Sequence, residues 1–236
     1  MKIMNNLDIL YEDNHIIVVV KPNNILSQSD ETNDLDMLTI IKGYIKEKYN
    51  KPGNVYLGLV HRLDRPASGV MVFAKTSKAA SRLSEQIRNN LVTKKYLAVV
   101  NGTDLESGGI FNDYLEKLSD GNTIVSDELR GKYAELSYKA LQINRENNLS
   151  LVEVDLKTGR HHQIRVQFAS RGYPLYGDNR YGKMDKKQLA LHAYELSFTH
   201  PVNKEKMTFR HIPFGFDKIW LLFDIKWINL VIAFSY

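Results

Sequence analysis

The apolar residues of this chain fall into short runs separated by polar turns. Ile16 to Val20 is continuous and largely β-branched, closed by Lys21-Pro22, and predicts a buried strand. Leu38, Ile41 and Ile45 recur at helical spacing, so a helix is expected over Leu38–Tyr49, ended by Pro52-Gly53. Leu57–Val60 and Val70–Ala74 read as strands on either side of the polar turn His61-Arg62-Leu63-Asp64-Arg65-Pro66-Ala67-Ser68-Gly69. Ser77 is placed to cap a helix carrying Ala80, Leu83 and Ile87 on one face and ending near Asn89-Asn90. Lys95–Val100 and Leu151–Leu156 predict strands, Tyr133–Ile143 alternates, and Arg160–Arg171 predicts a helix with Ile164 and Phe168 on one face and Gly172 at its end. Strands outnumber helices in irregular order, which predicts an α+β fold. With no repeat, low-complexity tract or Pro/Ser-rich linker, a single domain over 1–236 is expected.

Composition narrows the chemistry. The 236 residues are 43% hydrophobic and 25% charged, a globular balance. There is no cysteine, which excludes disulfides, thiol catalysis and cysteine-ligated metal. Met1-Lys2-Ile3-Met4-Asn5-Asn6 lacks the apolar run of a signal peptide, and the longest apolar stretch, Trp227–Tyr236, is too short to span a bilayer. A cytoplasmic protein without membrane attachment is expected.

Charge is unevenly placed. Residues 1–40 hold two basic side chains against seven acidic ones. Lys75–Lys95 holds six basic against one acidic, and Lys157–Lys187 eight against two. Two positive blocks suit a polyanionic partner if the fold joins them, though solvated helix faces would look the same.

Two apparent motifs carry little, and a third is absent. Gly177 to Lys183 has the spacing of a phosphate-binding loop, but Met184 stands where a magnesium-holding hydroxyl is needed. His161 and His162 are adjacent, so on a helix they would point about 100° apart and share a metal poorly. No Gly-x-Ser-x-Gly occurs, so serine hydrolase chemistry has no support.

Three segments are stronger. Asp64 sits in a turn between strands, flanked by Arg62 and Arg65, cations able to keep a carboxylate ionised as nucleophile or base. An ordinary turn Asp paired to a neighbour would also fit. Gly159-Arg160-His161-His162-Gln163-Ile164-Arg165 places Arg165 on a helix beside apolar residues, where a surface cation is the plainer reading. Lys94-Lys95-Tyr96 sets an aromatic beside two lysines at a strand start, as suits a base stacked in a phosphate-lined groove or, more commonly, a core tyrosine.

Taken together, these segments resemble one family. Gly58-Leu59-Val60-His61-Arg62-Leu63-Asp64-Arg65 with Ser68-Gly69 is similar to the signature loop of RluA-type pseudouridine synthases. Lys95-Tyr96 resembles the second motif. Leu156–Arg160 with His162–Arg165, Pro174 and Gly177-Asp178 resembles the third, and Leu191-His192-Ala193 with Leu196, Phe198, His200 and Pro201 the last. The likeness runs from about 9 to 213 in the family's order. It implies a bent mixed or antiparallel sheet with flanking helices and a central basic cleft. It also implies Asp64 as catalytic carboxylate, Tyr96 stacked on the target base, Arg165 paired with Asp64, and Arg62 entering the RNA. His61, Arg160 and His162 are expected to contact RNA.

The implied partner is ribosomal or transfer RNA, with no metal or cofactor, and a monomer is expected. The implied reaction breaks the uridine glycosidic bond, turns the base and rejoins it through carbon 5. Hydrolysis would want a second carboxylate, and Asp178 is the one candidate. An inactive RNA-binding or remodelling relative is the alternative, disfavoured because binding alone needs no Asp64–Tyr96–Arg165 set. The chain departs from the family at Pro66 and Ala67, where an acidic residue and Thr are usual; loss of that hydroxyl is expected to loosen the loop. No separate amino-terminal RNA-binding domain is expected, and the apolar tail, 217–236, resembles nothing in the family.

Overall fold

The run Ile16–Val20 forms β2 (Ile16–Lys21), with every residue buried, and strands pair along both its edges. β1 (Ile9–Glu12) and β4 (Ser68–Ala74) flank it antiparallel, and the short β3 (Gly58–Leu59) pairs with β4. A computed structural model describes residues 7–32, 34–213 and 215–225. Their packing forms two compact units, one built from the chain up to Val92 with Glu195–His211, the other from Thr93–Tyr194 with the chain from Ile212.

In the first unit α1 (Met37–Lys48) buries Ile41 and Ile45 as the spacing predicts, adds Met37 and Ile40 to that stripe, and leaves Leu38 half-buried. Asp36 caps it, accepting from the Thr39 amide at 3.2 Å. α2 (Ser77–Arg88) is capped by Thr76 rather than Ser77, because Thr76 is the extended residue whose hydroxyl oxygen meets the Ala79 amide at 3.2 Å. Its apolar face joins Ile16, Val18, Val70, Val72 and Phe198 in one core.

In the second unit β5 (Thr93–Asn101), β9 (Leu149–Leu156), β8 (Lys132–Asn144), β6 (Gly108–Lys117) and β7 (Thr123–Ser126) follow one another as an antiparallel ladder. β10 (Leu191–Thr199) begins in this unit and ends in the first, where β11 (Lys206–Arg210) pairs with it. The architecture is the expected α+β mix of many strands and few helices. α3 is shorter than expected, Gln163–Ala169, because His162 adopts a left-handed backbone (φ 52°) that cannot belong to the helix. Gly172 (φ 86°) closes its far end, its backbone N–H donating a hydrogen bond to Ala169 O at 3.0 Å. The first part of the apolar tail packs on this unit's core through Trp220, Phe223 and Ile225; residues 226–236 lie outside the described residues. Among the described residues no helix is long and apolar enough to cross a membrane.

Glu12 ties the end of β1 to α1 and to Lys75 beyond β4. It accepts from Lys48 Nζ (2.7 Å), Lys75 Nζ (2.7 Å), Tyr44 Oη (3.0 Å) and Tyr49 Oη (2.9 Å). Burial alone would raise this carboxyl; the four donors outweigh it and hold it at about 2. A depressed carboxyl contributes stability above its unfolded value and loses it as pH falls toward the folded one. The first unit is therefore expected to lose stability between about pH 4.5 and 2, by on the order of 3 kcal/mol from this group. Acid titration of Glu12→Gln by circular dichroism checks it: the variant starts less stable at pH 7 and shows a shallower acid slope.

Candidate active site

The polar turn 61–69 is anchored at successive points within the first unit. Ser27 brackets Leu63, its hydroxyl donating to Leu63 O at 2.8 Å and accepting from Leu63 N at 3.1 Å. Asn23 Nδ2 donates to Pro66 O (2.8 Å), and Ala67 N closes the turn on Asp64 O (3.0 Å). Leu63 and Ala67 point inward and are buried, which leaves Asp64 half-buried at the bend and Arg62 and Arg65 exposed. Arg65 pairs with Asp34 at 2.7 Å. Arg62 makes no hydrogen bond or ion pair among the described residues. None of these anchors uses a side-chain hydroxyl at 66 or 67.

Behind the turn lies a residue that the sequence reading passed over. Lys21 is fully buried, and its Nζ donates to the carbonyls of Pro22 (3.0 Å), Ile25 (2.6 Å) and Arg65 (3.0 Å). Burial drives its ammonium down to about 7; the Asp64 charge opposes that shift and the Arg65 charge adds to it. The Asp64 carboxylate thus sits in the field of a desolvated lysine that also grips the next residue's backbone. The available signal was a lysine closing an otherwise apolar run immediately before a proline.

His61 was expected to contact RNA. Its Nε2 accepts the Val72 amide of β4 at 3.1 Å, so one ring nitrogen is committed to the scaffold. Tyr96 lies on β5 in the second unit and is buried, 7% exposed.

Arg165, also in the second unit, is no surface cation. It is 5% exposed and grips Asp178 with two parallel bonds, Nε to Oδ2 at 2.8 Å and Nη2 to Oδ1 at 2.7 Å. Burial alone would raise the Asp178 carboxyl, but Arg165 and the amides of Tyr181 and Arg180 hold it below the usual range. Asp178 is therefore ionised, enclosed and fully engaged, and it cannot activate water as a second acid/base group. Gly177 makes this turn possible: its φ is 71°, and a Cβ there would stand 2.0 Å from Gln188 O. The glycine spacing that mimics a phosphate loop is thus the seat of a buried carboxylate.

The paired histidines do not diverge as helical neighbours would. Because His162 precedes α3 with a left-handed backbone, the two rings stack, centroids 3.7 Å apart. His161 Nδ1 meets Thr123 Oγ1 at 2.8 Å, and His162 Nδ1 meets Tyr181 Oη at 2.7 Å. Tyr181 Oη also accepts the Thr123 amide (2.9 Å). Burial, followed by the charges of Arg165, His161 and Arg180, pushes His162 down to about 3, so it is neutral at neutral pH. The Tyr181 ring lies over the Arg165 guanidinium at 5.2 Å. Arg160 is exposed, with its Nε fixed on Tyr133 O at 2.7 Å. Several cations of the two basic blocks are spent inside their units, Arg82 on Pro201 O (2.6 Å) and Arg171 on Asp113 (3.0 Å) among them.

The turn that carries Asp64 belongs to the first unit, and Tyr96 and Arg165 belong to the second. Residues 15–170 match the family model described as RNA pseudouridylate synthase. The chain belongs to that family, which is a family of isomerases. It is 35% identical to an uncharacterized RNA pseudouridine synthase of Bacillus subtilis, over 84% of this chain and 66% of that protein. It is likewise 35% identical to ribosomal large subunit pseudouridine synthase D of Vibrio cholerae, over 93% of this chain and 71% of that protein. Among solved structures, human RNA pseudouridylate synthase domain containing 1 shares the fold, with a TM-score of 0.75, 23% identity, and 98% and 96% of the two chains covered.

Proposed function

We propose that this chain isomerises particular uridines of structured RNA to pseudouridine, acting in the cytoplasm as a monomer on ribosomal RNA, with transfer RNA the second candidate. The observation that carries the reading is the joint presence of Asp64, Tyr96 and Arg165 within the matched family segment, since binding alone requires no such set. The bond between ribose C1′ and uracil N1 breaks, the base turns, and C1′ rejoins carbon 5. The proton on carbon 5 leaves and N1 gains one, so no outside reactant is consumed.

Asp64 is assigned the opening step, either by attacking C1′ or by removing the neighbouring ribose proton. Arg165 supports that carboxylate's charge, as the family resemblance implies. Arg62 occupies the space vacated when the uridine leaves its stack, and Arg160, His61 and His162 contact the RNA. The engagement of Asp178 by Arg165 favours rearrangement over hydrolysis, because the carboxylate the sequence offered for acid/base work on water is held in an ion pair. Mapping pseudouridine in total RNA from cells with and without the gene tests the proposal. Loss of discrete sites supports it; an unchanged map supports the inactive RNA-binding alternative.

Tyr96 is assigned two roles, a platform for the flipped base and a hydroxyl that helps move the carbon 5 proton. Tyr96→Phe is then expected to bind RNA normally and accumulate rearranged nucleotide without releasing it, while Tyr96→Ala loses both steps. Single-turnover analysis of bound and released nucleotide checks this. A Phe variant as active as wild type removes the hydroxyl's role, and an active Ala variant removes Tyr96 from the site.

A further inference from the structure

Lys94 is anomalous. It is half-buried at the start of β5, yet it makes no hydrogen bond or ion pair among the described residues. The acidic charge that acts on it, Asp155, is already held by Lys157 at 3.5 Å. Burial lowers the Lys94 ammonium from its ordinary value; Asp155 opposes the shift and the charge of Arg160 adds to it. A partly desolvated cation without a hydrogen-bonded partner is stabilised when an anion arrives.

The neighbouring loop supplies a second cation. A methyl group placed on Gly159 would stand 3.8 Å from Lys94 Nζ, so this loop passes directly over the ammonium with nothing between. The next residue, Arg160, has its Nε fixed on Tyr133 O and its backbone amide on Gln163 Oε1 at 3.0 Å. Its two terminal nitrogens make no hydrogen bond among the described residues. A guanidinium oriented from behind, with its donor ends unused, beside an unpaired ammonium makes a two-cation seat for one anion. Lys94 and Tyr96 share a face of β5, two residues or about 7 Å apart, which one nucleotide can span.

We propose that Lys94 and Arg160 together hold a phosphodiester of the RNA strand at the linkage next to the target uridine. This rests on the pseudouridine synthase reading, and it makes Lys94 a binding residue that fixes where the strand lies relative to Tyr96. Gly159 keeps the loop low enough for both cations to reach one phosphate.

The test is a scan of single neutral methylphosphonate linkages through a synthetic RNA stem-loop carrying a mapped target uridine, with affinity measured by fluorescence anisotropy. Wild type is expected to lose about tenfold in affinity when one linkage beside the uridine is neutralised, about the worth of a single charge-assisted contact. Lys94→Met and Arg160→Met should both be insensitive at that same linkage, and Lys94→Arg should regain the sensitivity. Each Met variant should also lower the salt slope of binding by up to about 0.7–0.9, one phosphate's share. Sensitivity at two different linkages, or an unchanged scan in both variants, overturns the seat. Arg160 is exposed, so its variant keeps the test valid if Lys94→Met folds poorly. Pseudouridine formed by wild type on the unsubstituted RNA is read alongside. A failed seat with intact turnover overturns this inference alone, whereas absent turnover with unimpaired binding counts against the proposed function.

Discussion

Asp64→Asn is expected to lower pseudouridine formation by more than about 10^4-fold, the scale of losing a nucleophile or essential base, while RNA affinity stays near wild type. Asparagine has the same size, and the turn is held through backbone groups by Ser27, Asn23 and Lys21, so the loop should keep its shape. What changes is charge. The carboxylate no longer offsets the burial of Lys21, whose ammonium should fall below its value of about 7. The variant should therefore be less stable than wild type, and the deficit should be largest below that pH, where the unpaired buried ammonium must stay protonated. Quantifying pseudouridine by mass spectrometry beside a binding titration checks the first part, and thermal melts from pH 5 to 9 the second. Retained turnover would remove Asp64 from the mechanism.

Arg165→Met is expected to damage both fold and activity, and the two can be separated. Removing the guanidinium strands the Asp178 carboxylate, whose side chain is fully enclosed. Breaking one partner of such a pair costs about 3–5 kcal/mol. In the double variant Arg165→Met/Asp178→Asn no buried charge is left unpaired, so most of that stability should return. If Arg165 also supports chemistry, the double variant will melt near wild type yet remain inactive at saturating RNA. Recovery of turnover together with stability would make Arg165 a structural residue only. A fall in affinity alone would make it a phosphate contact.

The parts of this molecule legible from sequence are those governed by local periodicity. Ile16–Val20 announced β2 because every position is apolar, and Gly172 announced the end of α3 because only a left-handed residue fits there. The turn around Asp64 was readable because a polar segment separates two apolar strands and matches a family segment. The bond from Arg165 to Asp178 was not readable in that way. An ion pair between residues 165 and 178 has no repeat, and the glycine turn that seats Asp178 imitates another motif. The left-handed backbone of His162 was likewise hidden, since a histidine before Gln-Ile-Arg reads as helix. β6 and β7 escaped because their faces are largely exposed and carry no clean alternation. Lys21 escaped because a lysine at a strand end is ordinarily solvated, and only burial reveals its three carbonyl partners.

The central claim is that this chain converts uridine in RNA to its carbon-linked isomer, and the most direct test is nucleoside analysis after incubating the purified protein with unmodified transcribed ribosomal RNA. Pseudouridine should appear at discrete positions in amounts equal to the uridine lost, with no free uracil and none formed by Asp64→Asn. RNA that is bound but unaltered, or uracil released without pseudouridine, would contradict it.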